Sequence, residues 1–246
     1  MIQFDVITLF PEIFNSTLQE SMLKKAQEKG LIRIRIFNLR DWAQDKHKTA
    51  DDAPFSGADG MVLKPDLMER AITEVRKDGE IAPVILLSPQ GRRFDQEWAS
   101  QLAELGRIIL VCGRYAGIDQ RAIDRLIDQE LSIGDYVLSG GEIPALVVIE
   151  TLSRLIPGVL GNQDSVKNDS FPSRLEPHQY TRPRIFKNLK PPEVLLSGDH
   201  KKIQAFLKKE SLRRTLLRRP DLLLRFPLDD EEAKLLQEIK EELIKG

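Results

Sequence analysis

The chain has 246 residues, 41% of them apolar and 30% charged, which suits one large and one small folded domain and argues against disorder throughout. Its single cysteine, Cys112, excludes a disulfide framework within one chain, and the three scattered histidines disfavour a structural metal site. The longest apolar stretch, 143–149, is far shorter than the roughly 18 residues of a membrane span. Since the first residues also lack the positive region of a signal peptide, we expect a cytoplasmic protein without membrane segments.

Short runs rich in Ile, Val and Leu alternate with helical patterns over the first two thirds of the chain. The predicted strands cover residues 2–10, 31–37, 83–87 and 107–112. The predicted helices cover residues 12–28, 65–77, 95–105, 118–128 and 141–156. This alternation predicts an α/β domain with a largely parallel sheet.

A polar, turn-rich stretch, GNQDSVKNDSFPS at 161–173, follows this alternating part. Beyond it, Asp199 is predicted to cap a helix that runs through Lys209, and further helices are predicted at 211–219 and 228–245. We therefore predict three parts: an α/β domain at 1–160, a flexible linker at 161–175 and a small, basic, all-helical domain at 176–246.

The net charge of −1 is unevenly distributed. Residues 182–225 carry a net charge of +9, whereas the part before them carries −6 and the final stretch, 226–246, carries −4. Such a block predicts an RNA or DNA partner, with four candidate phosphate contacts at Arg213, Arg214, Arg218 and Arg219. Composition alone gives equal weight to a solvated helical face.

Three loops next to predicted strands or helices are rich in Gly and Pro: LSPQGRR at 87–93, CGRYAGIDQR at 112–121 and LSIGDYVLSGGEIP at 131–144. Ligands of open α/β sheets bind at the carboxyl ends of strands, where glycine allows close approach to the backbone, so we predict that these loops line one pocket. For one loop alone, a tight turn is the more ordinary use of glycine. Neither a G-x-G-x-x-G nor a G-x-x-x-x-G-K-[ST] motif is present, so the sequence supports neither a Rossmann site nor a P-loop.

Seven segments stand in a characteristic order: LSPQGR, CGRYAGID, SIGDYVLSGGEIPA, RLIPGVLGN, DSF, YTRP and VLLSGDH. In order and spacing they resemble the bacterial tRNA (guanine-N1)-methyltransferases of the SPOUT class, and the resemblance runs from TLFPEIF to RRPDLL. It implies S-adenosylmethionine bound in a deep trefoil knot formed by the last strands and loops of the first domain. It also implies a tRNA substrate and a homodimer with its site between the subunits.

The resemblance further implies which residues hold the methyl donor, chiefly through backbone groups. Carried over by position, they are Leu87, Ser88, Pro89, Gly91, Gly113, Arg114, Tyr115, Ile133, Gly134, Asp135, Tyr136, Val137, Leu138, Gly140 and Gly141.

The implied reaction is methyl transfer to N1 of the guanosine immediately 3′ of the anticodon. N1 of neutral guanine carries a proton, so the reaction needs a base for that proton and a cation for the charge that grows on the ring. The resemblance assigns Asp169 of the DSF segment as the base and Arg154 as the cation. Taken without this context, Asp169 is more typical of a turn or cap residue and Arg154 of a helix C-terminus.

The chain departs from the family pattern at Ala116 and Gln120, where members usually carry acids, and in the PFSGADGM loop at 54–61. Two fewer negative charges predict weaker attraction of a divalent ion such as Mg²⁺, which the resemblance allows in the chemical step. These departures keep two alternatives open. One is a non-catalytic RNA-binding relative of the same fold, and the other is a SPOUT methyltransferase with a different RNA target.

Overall fold

The computed structural model describes residues 1–161, 169–171 and 173–245. The chain forms two compact units, Met1–Gln163 and Asp164–Gly246. Residues 162–168 and 172, which make up much of the predicted linker, lie outside the described residues, so the linker stays a prediction. Within the described residues, no helix is both long and apolar enough to cross a lipid bilayer.

The first unit is built on a five-stranded parallel sheet, which confirms the predicted α/β class. In chain order the strands of this unit are β1 Ile2–Thr8, β2 Ile32–Asn38, β3 Asp51–Asp52, β4 Val62–Leu63, β5 Val84–Arg93, β6 Arg107–Cys112 and β7 Gln129–Ser132. The order in the sheet is β2-β1-β6-β5-β7, and β3 and β4 form a separate antiparallel pair.

Helices cover both faces of the sheet, which explains why its interior strands are mostly apolar. Strand β6 shows the arrangement, because Leu110 packs into the apolar core on one face and Val111 into the core on the other. The helices of this unit are α1 Asn15–Leu18, α2 Ser21–Glu28, α3 Pro65–Lys77, α4 Gln96–Ala103, α5 Gln120–Leu126 and α6 Glu142–Leu155. Helices α2, α4 and α6 contribute to the first core, and α3 and α5 to the second.

The predicted helix at 12–28 is wrong as a single element. The structure has a 3₁₀ helix at Pro11–Phe14, then α1 and α2, with a break before Ser21. Ser21 has a φ of 50°, in the left-handed region that interrupts a right-handed helix. The apolar spacing continues through the break, with Leu18 and Leu23 both in the core, so periodicity alone could not reveal it.

Strand β5 continues past the predicted end at Leu87 to Arg93, because it pairs with β7, a strand that the sequence did not predict. The register shifts between Leu87 and Arg92, so β5 meets Leu131 twice. Gly91 lies inside the shift, where an added Cβ would be 2.4 Å from the carbonyl carbon of Glu130. Only a residue without a side chain fits there.

The second unit is helical, with a 3₁₀ helix at Glu193–Leu196 followed by α7 His200–Arg218, α8 Asp221–Arg225 and α9 Asp230–Lys245. Asp199 caps α7 as predicted, since its carboxylate accepts a hydrogen bond from the Lys202 amide at 3.2 Å. The two helices predicted at 199–209 and 211–219 are one continuous helix. Ser211 does not start a new helix, because its hydroxyl donates to the Leu175 carbonyl at 2.6 Å.

A buried charge cluster links the three neighbouring strands β2, β1 and β6. The Asp5 carboxylate, fully buried on β1, accepts hydrogen bonds from Arg35 Nε at 2.6 Å and Arg107 Nε at 2.7 Å. Arg107 is also buried and donates to the Val75 and Glu80 carbonyls. Burial alone raises the pKa of the Asp5 carboxyl, but the two guanidinium groups outweigh it and hold that pKa below its usual value.

We expect Asp5→Asn to lower the free energy of unfolding by about 3 kcal/mol at neutral pH, because two arginines lose the charge that compensates them. A carboxyl with a lowered folded-state pKa stabilises the fold above its unfolded pKa near 4, and that contribution disappears as the pH falls through the folded-state value. The difference between wild type and variant, measured by urea unfolding, should therefore shrink below pH 4.

Asp78→Asn is the matched control, because Asp78 also pairs with Arg35 but its side chain is 71% exposed. It should cost less than about 1 kcal/mol. Equal costs for the two variants would show that burial of Asp5 does not set the strength of this cluster.

Candidate functional site

The three Gly-rich segments meet around one cavity, which lies at the carboxyl ends of β6 and β7 and beside the register shift within β5. The cavity has a volume of about 310 Å³, at the lower end of the range of small-molecule sites. Its walls combine apolar side chains such as Leu86 and Ile118 with backbone from the loops.

The cavity is lined by most of the residues predicted to hold a methyl donor. These are Leu87, Ser88, Pro89, Gly113, Arg114, Tyr115, Ile133, Gly134, Tyr136, Val137, Leu138, Gly140 and Gly141. Gly91 and Asp135 do not belong to the lining, and Gly91 serves the β5–β7 contact described above. Their assignment as ligand contacts has no geometric support in this chain.

Other residues of the three Gly-rich segments also line the cavity, in agreement with the prediction that these segments form one pocket. They include Gln90, Ala116, Gln120, Ser132, Ser139 and Pro144. Glu130 lies on β7, outside the three predicted loops, and was missed together with that strand.

Backbone packing explains the glycine pair at 140–141. The Gly141 amide donates to the Gly113 carbonyl at 3.0 Å, and Arg114 pairs with Gly140 as an isolated β-bridge. A Cβ on Gly141 would lie 2.7 Å from the Cys112 Cα atom, closer than such atoms approach. These glycines thus allow one loop to pass directly against another. The sequence alone predicts only two uses for them, a tight turn and the close approach of a ligand.

A second close contact shapes the opposite wall. Gly134 has a φ of 152°, and a Cβ there would lie 2.5 Å from the Tyr136 ring. The Ser132 hydroxyl stabilises this turn, since it accepts from the Gly134 amide at 3.2 Å. Tyr136 and Tyr115 are both about half exposed at the cavity, so each presents an aromatic surface to solvent and to any ligand.

A buried carboxylate supports Arg114 behind the cavity wall. Glu142, the first residue of α6, accepts a hydrogen bond from the Thr8 hydroxyl at 2.8 Å and lies 3.5 Å from Arg114 Nε. Arg114 Nη1 donates to the Ser139 carbonyl at 2.9 Å, and its guanidinium stacks 4.4 Å from the centre of the Phe10 ring. The Arg114 guanidinium is therefore held in place at the cavity wall by a carboxylate, a backbone carbonyl and an aromatic ring.

The same carboxylate affects Cys112. Burial raises the pKa of the Cys112 thiol well above its usual value, and the negative charge of Glu142 raises it further. Arg114 opposes this effect without reversing it. The thiol therefore stays protonated at neutral pH, and Cys112 serves as a core residue and not as a nucleophile.

The loop at 113–121 offers little to a divalent ion. Ala116 has no ligand atom, and the Gln120 amide donates to Asp124 at 2.8 Å. Asp119 forms an ion pair with Arg121 at 2.8 Å, and that guanidinium lowers the pKa of the Asp119 carboxyl. Across the described residues, no three His, Cys, Asp or Glu side chains cluster as metal ligands would.

The two predicted catalytic residues belong to different units, Arg154 to the first and Asp169 to the second. Arg154 lies in the last turn of α6, roughly 15 Å along the helix axis from Pro144 at about 1.5 Å per residue. Asp169 lies in the second unit, beside a separate surface cavity that Arg174 and Glu176 also line.

We expect Gly141→Ala to lower the free energy of unfolding by about 1–3 kcal/mol, because the added methyl group must push backbone away from backbone. Gly161→Ala is the matched control, since nothing lies within 4 Å of a Cβ there. It should change stability by less than about 0.5 kcal/mol. Thermal unfolding of both variants measures the difference, and equal stabilities would contradict the packing role of Gly141.

Comparisons with known sequences agree on one family. A family profile described as "tRNA (Guanine-1)-methyltransferase TrmD" matches residues 2–225 of the chain. Curated relatives with the name tRNA (guanine-N(1)-)-methyltransferase are similar over nearly their full length. A protein of Dictyoglomus turgidum is 49% identical over 244 residues, which are 99% of this chain and 98% of the relative.

Relatives from other bacterial groups carry the same name. A protein of Dehalococcoides mccartyi strain CBDB1 is 50% identical over 239 residues, which are 96% of each chain. A protein of Geobacillus kaustophilus is 49% identical over 241 residues, which are 98% of this chain and 99% of the relative. These alignments include all three cavity loops and extend into the second unit.

Proposed function

The chain belongs to the tRNA (guanine-N1)-methyltransferase family, and we propose that it transfers a methyl group from S-adenosylmethionine to N1 of the guanosine 3′ of the anticodon. The observation that carries this proposal is the extent of the match, because about half of all residues are identical over nearly the whole chain. The names of these relatives favour the enzyme over the non-catalytic RNA-binding alternative. With tRNA as its substrate, the activity belongs in the cytoplasm.

The residues around the cavity suit a nucleoside-containing methyl donor. Apolar side chains, two half-exposed tyrosines and exposed loop backbone surround a space of about 310 Å³. S-adenosylmethionine would supply a methyl group bound to a positively charged sulfur, which makes that carbon electrophilic. Loop residues such as Leu87, Tyr115, Gly134 and Leu138 would hold it chiefly through backbone groups and ring surface.

The rest of the reaction is a proton transfer with charge stabilisation. We infer that the Asp169 carboxylate takes the N1 proton of guanine and that the Arg154 guanidinium stabilises the negative charge that develops on the ring. Both residues retain the family pattern in this sequence. Arg154 is half-buried in the last turn of α6.

A homodimer would complete this site. Arg154 lies roughly 15 Å along α6 from Pro144, which lines the donor cavity, and Asp169 belongs to the second unit. The catalytic groups therefore need not act on the donor that is bound by their own chain. We propose that the donor cavity of one subunit faces the catalytic groups and basic second unit of another, as the family resemblance implies.

The trefoil knot of the family also enters here as a proposal. Its support is the tight passage of chain segments at two places, where Gly91 meets β7 and Gly141 meets the end of β6. A magnesium ion has weaker support. Because Ala116, Gln120 and Asp119 offer no ligand set, we derive no catalytic step through Mg²⁺.

The first test maps the methylated position. The protein is incubated with labelled S-adenosylmethionine and an unmodified bacterial tRNA transcript that carries guanosine 3′ of the anticodon. We expect one methyl group per tRNA, at N1 of that guanosine, and no incorporation when adenosine replaces it. Label at another position, or none with any bacterial tRNA, would overturn the proposed reaction.

The second test concerns the catalytic pair. Asp169→Asn should slow single-turnover methylation by about 100-fold or more, while donor affinity stays near that of wild type. Arg154→Ala should also slow the chemical step, and Arg154→Lys should slow it less because the positive charge is kept. A wild-type rate for Asp169→Asn would refute its role as base. For Arg154→Ala, a change confined to tRNA affinity would reassign that residue to binding.

A further inference from the structure

The cations of residues 182–225, which we call the basic block, differ in their surroundings. On α7, Lys208 lies 2.5 Å from Glu231, Lys209 lies 2.8 Å from Glu242, and Arg213 forms an ion pair with that same glutamate. The hydrogen bond from Lys208 to Glu231 raises the pKa of Lys208, as expected for a paired ammonium. The acidic helix α9 therefore neutralises much of the basic face of α7.

Two of the remaining arginines that composition singled out are also engaged. Arg219 pairs with Asp221 at 2.6 Å, and Arg214 donates to the Glu176 carbonyl at 2.7 Å. A phosphate that bound these side chains would have to compete with a carboxylate or a carbonyl already in place. The net charge of +9 therefore overestimates the number of cations on α7 and α8 that are free of a carboxylate or carbonyl partner and could bind a polyanion.

A different stretch, which we call the basic turn, comprises residues 180–190 with the sequence YTRPRIFKNLK. It holds Arg182, Arg184, Lys187 and Lys190 and no acid. All eleven residues are exposed. Among the residues that the structure describes, none of these four cations has a carboxylate within 4.0 Å, and Lys187 Nζ lies 5.6 Å from the centre of the Phe186 ring. No carboxylate therefore neutralises these charges within the described part of the fold.

The turn has a defined backbone and carries aromatic rings. The Phe186 amide donates to the Leu189 carbonyl at 3.0 Å, and the Leu189 amide returns a bond of 2.9 Å. Between them, Lys187 and Asn188 adopt left-handed φ values of 50° and 65°. This closed turn projects Phe186, 60% exposed, while Tyr180 is 51% exposed at the start of the segment. Rings in a fixed, solvent-facing position lose little entropy when they stack on a flat partner.

We propose that the basic turn is the part of the second unit that binds tRNA, with its cations on phosphates and Phe186 and Tyr180 stacked on unpaired bases. Cations interleaved with exposed aromatic rings are the chemistry that recognises single-stranded and looped RNA. A tRNA offers both a phosphate backbone and loops with unpaired bases. The inference rests on the proposed function, since it assigns the surface for that same substrate.

The test compares two variants that remove the same charge. One replaces Arg182, Arg184, Lys187 and Lys190 by Gln, and the other replaces Lys208, Lys209, Arg213 and Arg219 by Gln. Affinity for a fluorescently labelled tRNA is measured by anisotropy over a range of salt concentrations. We expect the basic-turn variant to lose at least about 10-fold in affinity. The slope of log affinity against log salt concentration should decrease in magnitude by about 3.

In the α7–α8 variant the magnitude of that slope should decrease by less than about 1, because the cations that it removes are already neutralised within the fold. Phe186→Ala should weaken tRNA binding about 10-fold with the salt dependence unchanged, and Phe186→Trp should keep the affinity. Equal effects of the two charge variants, or no effect of Phe186→Ala, would overturn the assignment.

Two further measurements separate this inference from its alternatives. Sedimentation of Phe186→Ala should show the oligomeric state of wild type, and dissociation into smaller species would show that the turn instead contacts a second copy of the chain. The affinity for S-adenosylmethionine should also stay at the wild-type value. If wild type methylates guanosine N1 but the basic-turn variant binds tRNA normally, only this inference fails. If wild type methylates no guanosine, the proposed function fails whatever the turn binds.

Discussion

The close passage of residues 140–141 against the end of β6 is the constraint on which the cavity depends. The Gly141 amide bonds to the Gly113 carbonyl, and a side chain at Gly141 would collide with the backbone of Cys112. The loop before α6 is therefore fixed to the strand that supplies another wall. Because backbone and not side chains makes this contact, the cavity keeps its shape without using the side chains that face a ligand.

Charges are buried around this framework only where they are compensated. Glu142 begins α6, accepts a hydrogen bond from Thr8 on β1, and balances Arg114 at the cavity wall. Asp5, on the same strand, balances Arg35 on β2 and Arg107 on β6. Removing one member of such a group leaves the other charge without a partner in a poorly hydrated place, which is costly. Strand β1 thus has two roles: its Asp5 stabilises the fold, and its Thr8 helps to hold the carboxylate that supports Arg114.

Sequence reasoning predicted the features that local patterns encode. The parallel sheet, the span of α3 and the cap at Asp199 follow from alternation, proline placement and capping chemistry. It failed where tertiary contacts decide the structure. Half-polar β7 exists because β5 extends to pair with it, and the break at Ser21 lies inside an uninterrupted apolar pattern. For the site, glycine content located the loops, but the pairing of Lys208, Lys209 and Arg213 with α9 could not be deduced from composition.

The central claim is that the three Gly-rich loops form the site of the methyl donor. Ultraviolet crosslinking of S-adenosylmethionine carrying a labelled methyl group, followed by mass spectrometry of the digested protein, tests it most directly. The account predicts label on peptides from 86–90, 113–118 and 130–141, the segments that line the cavity. It also predicts that excess unlabelled donor competes the label away. Label confined to the second unit, or spread over the chain and insensitive to competitor, would contradict it.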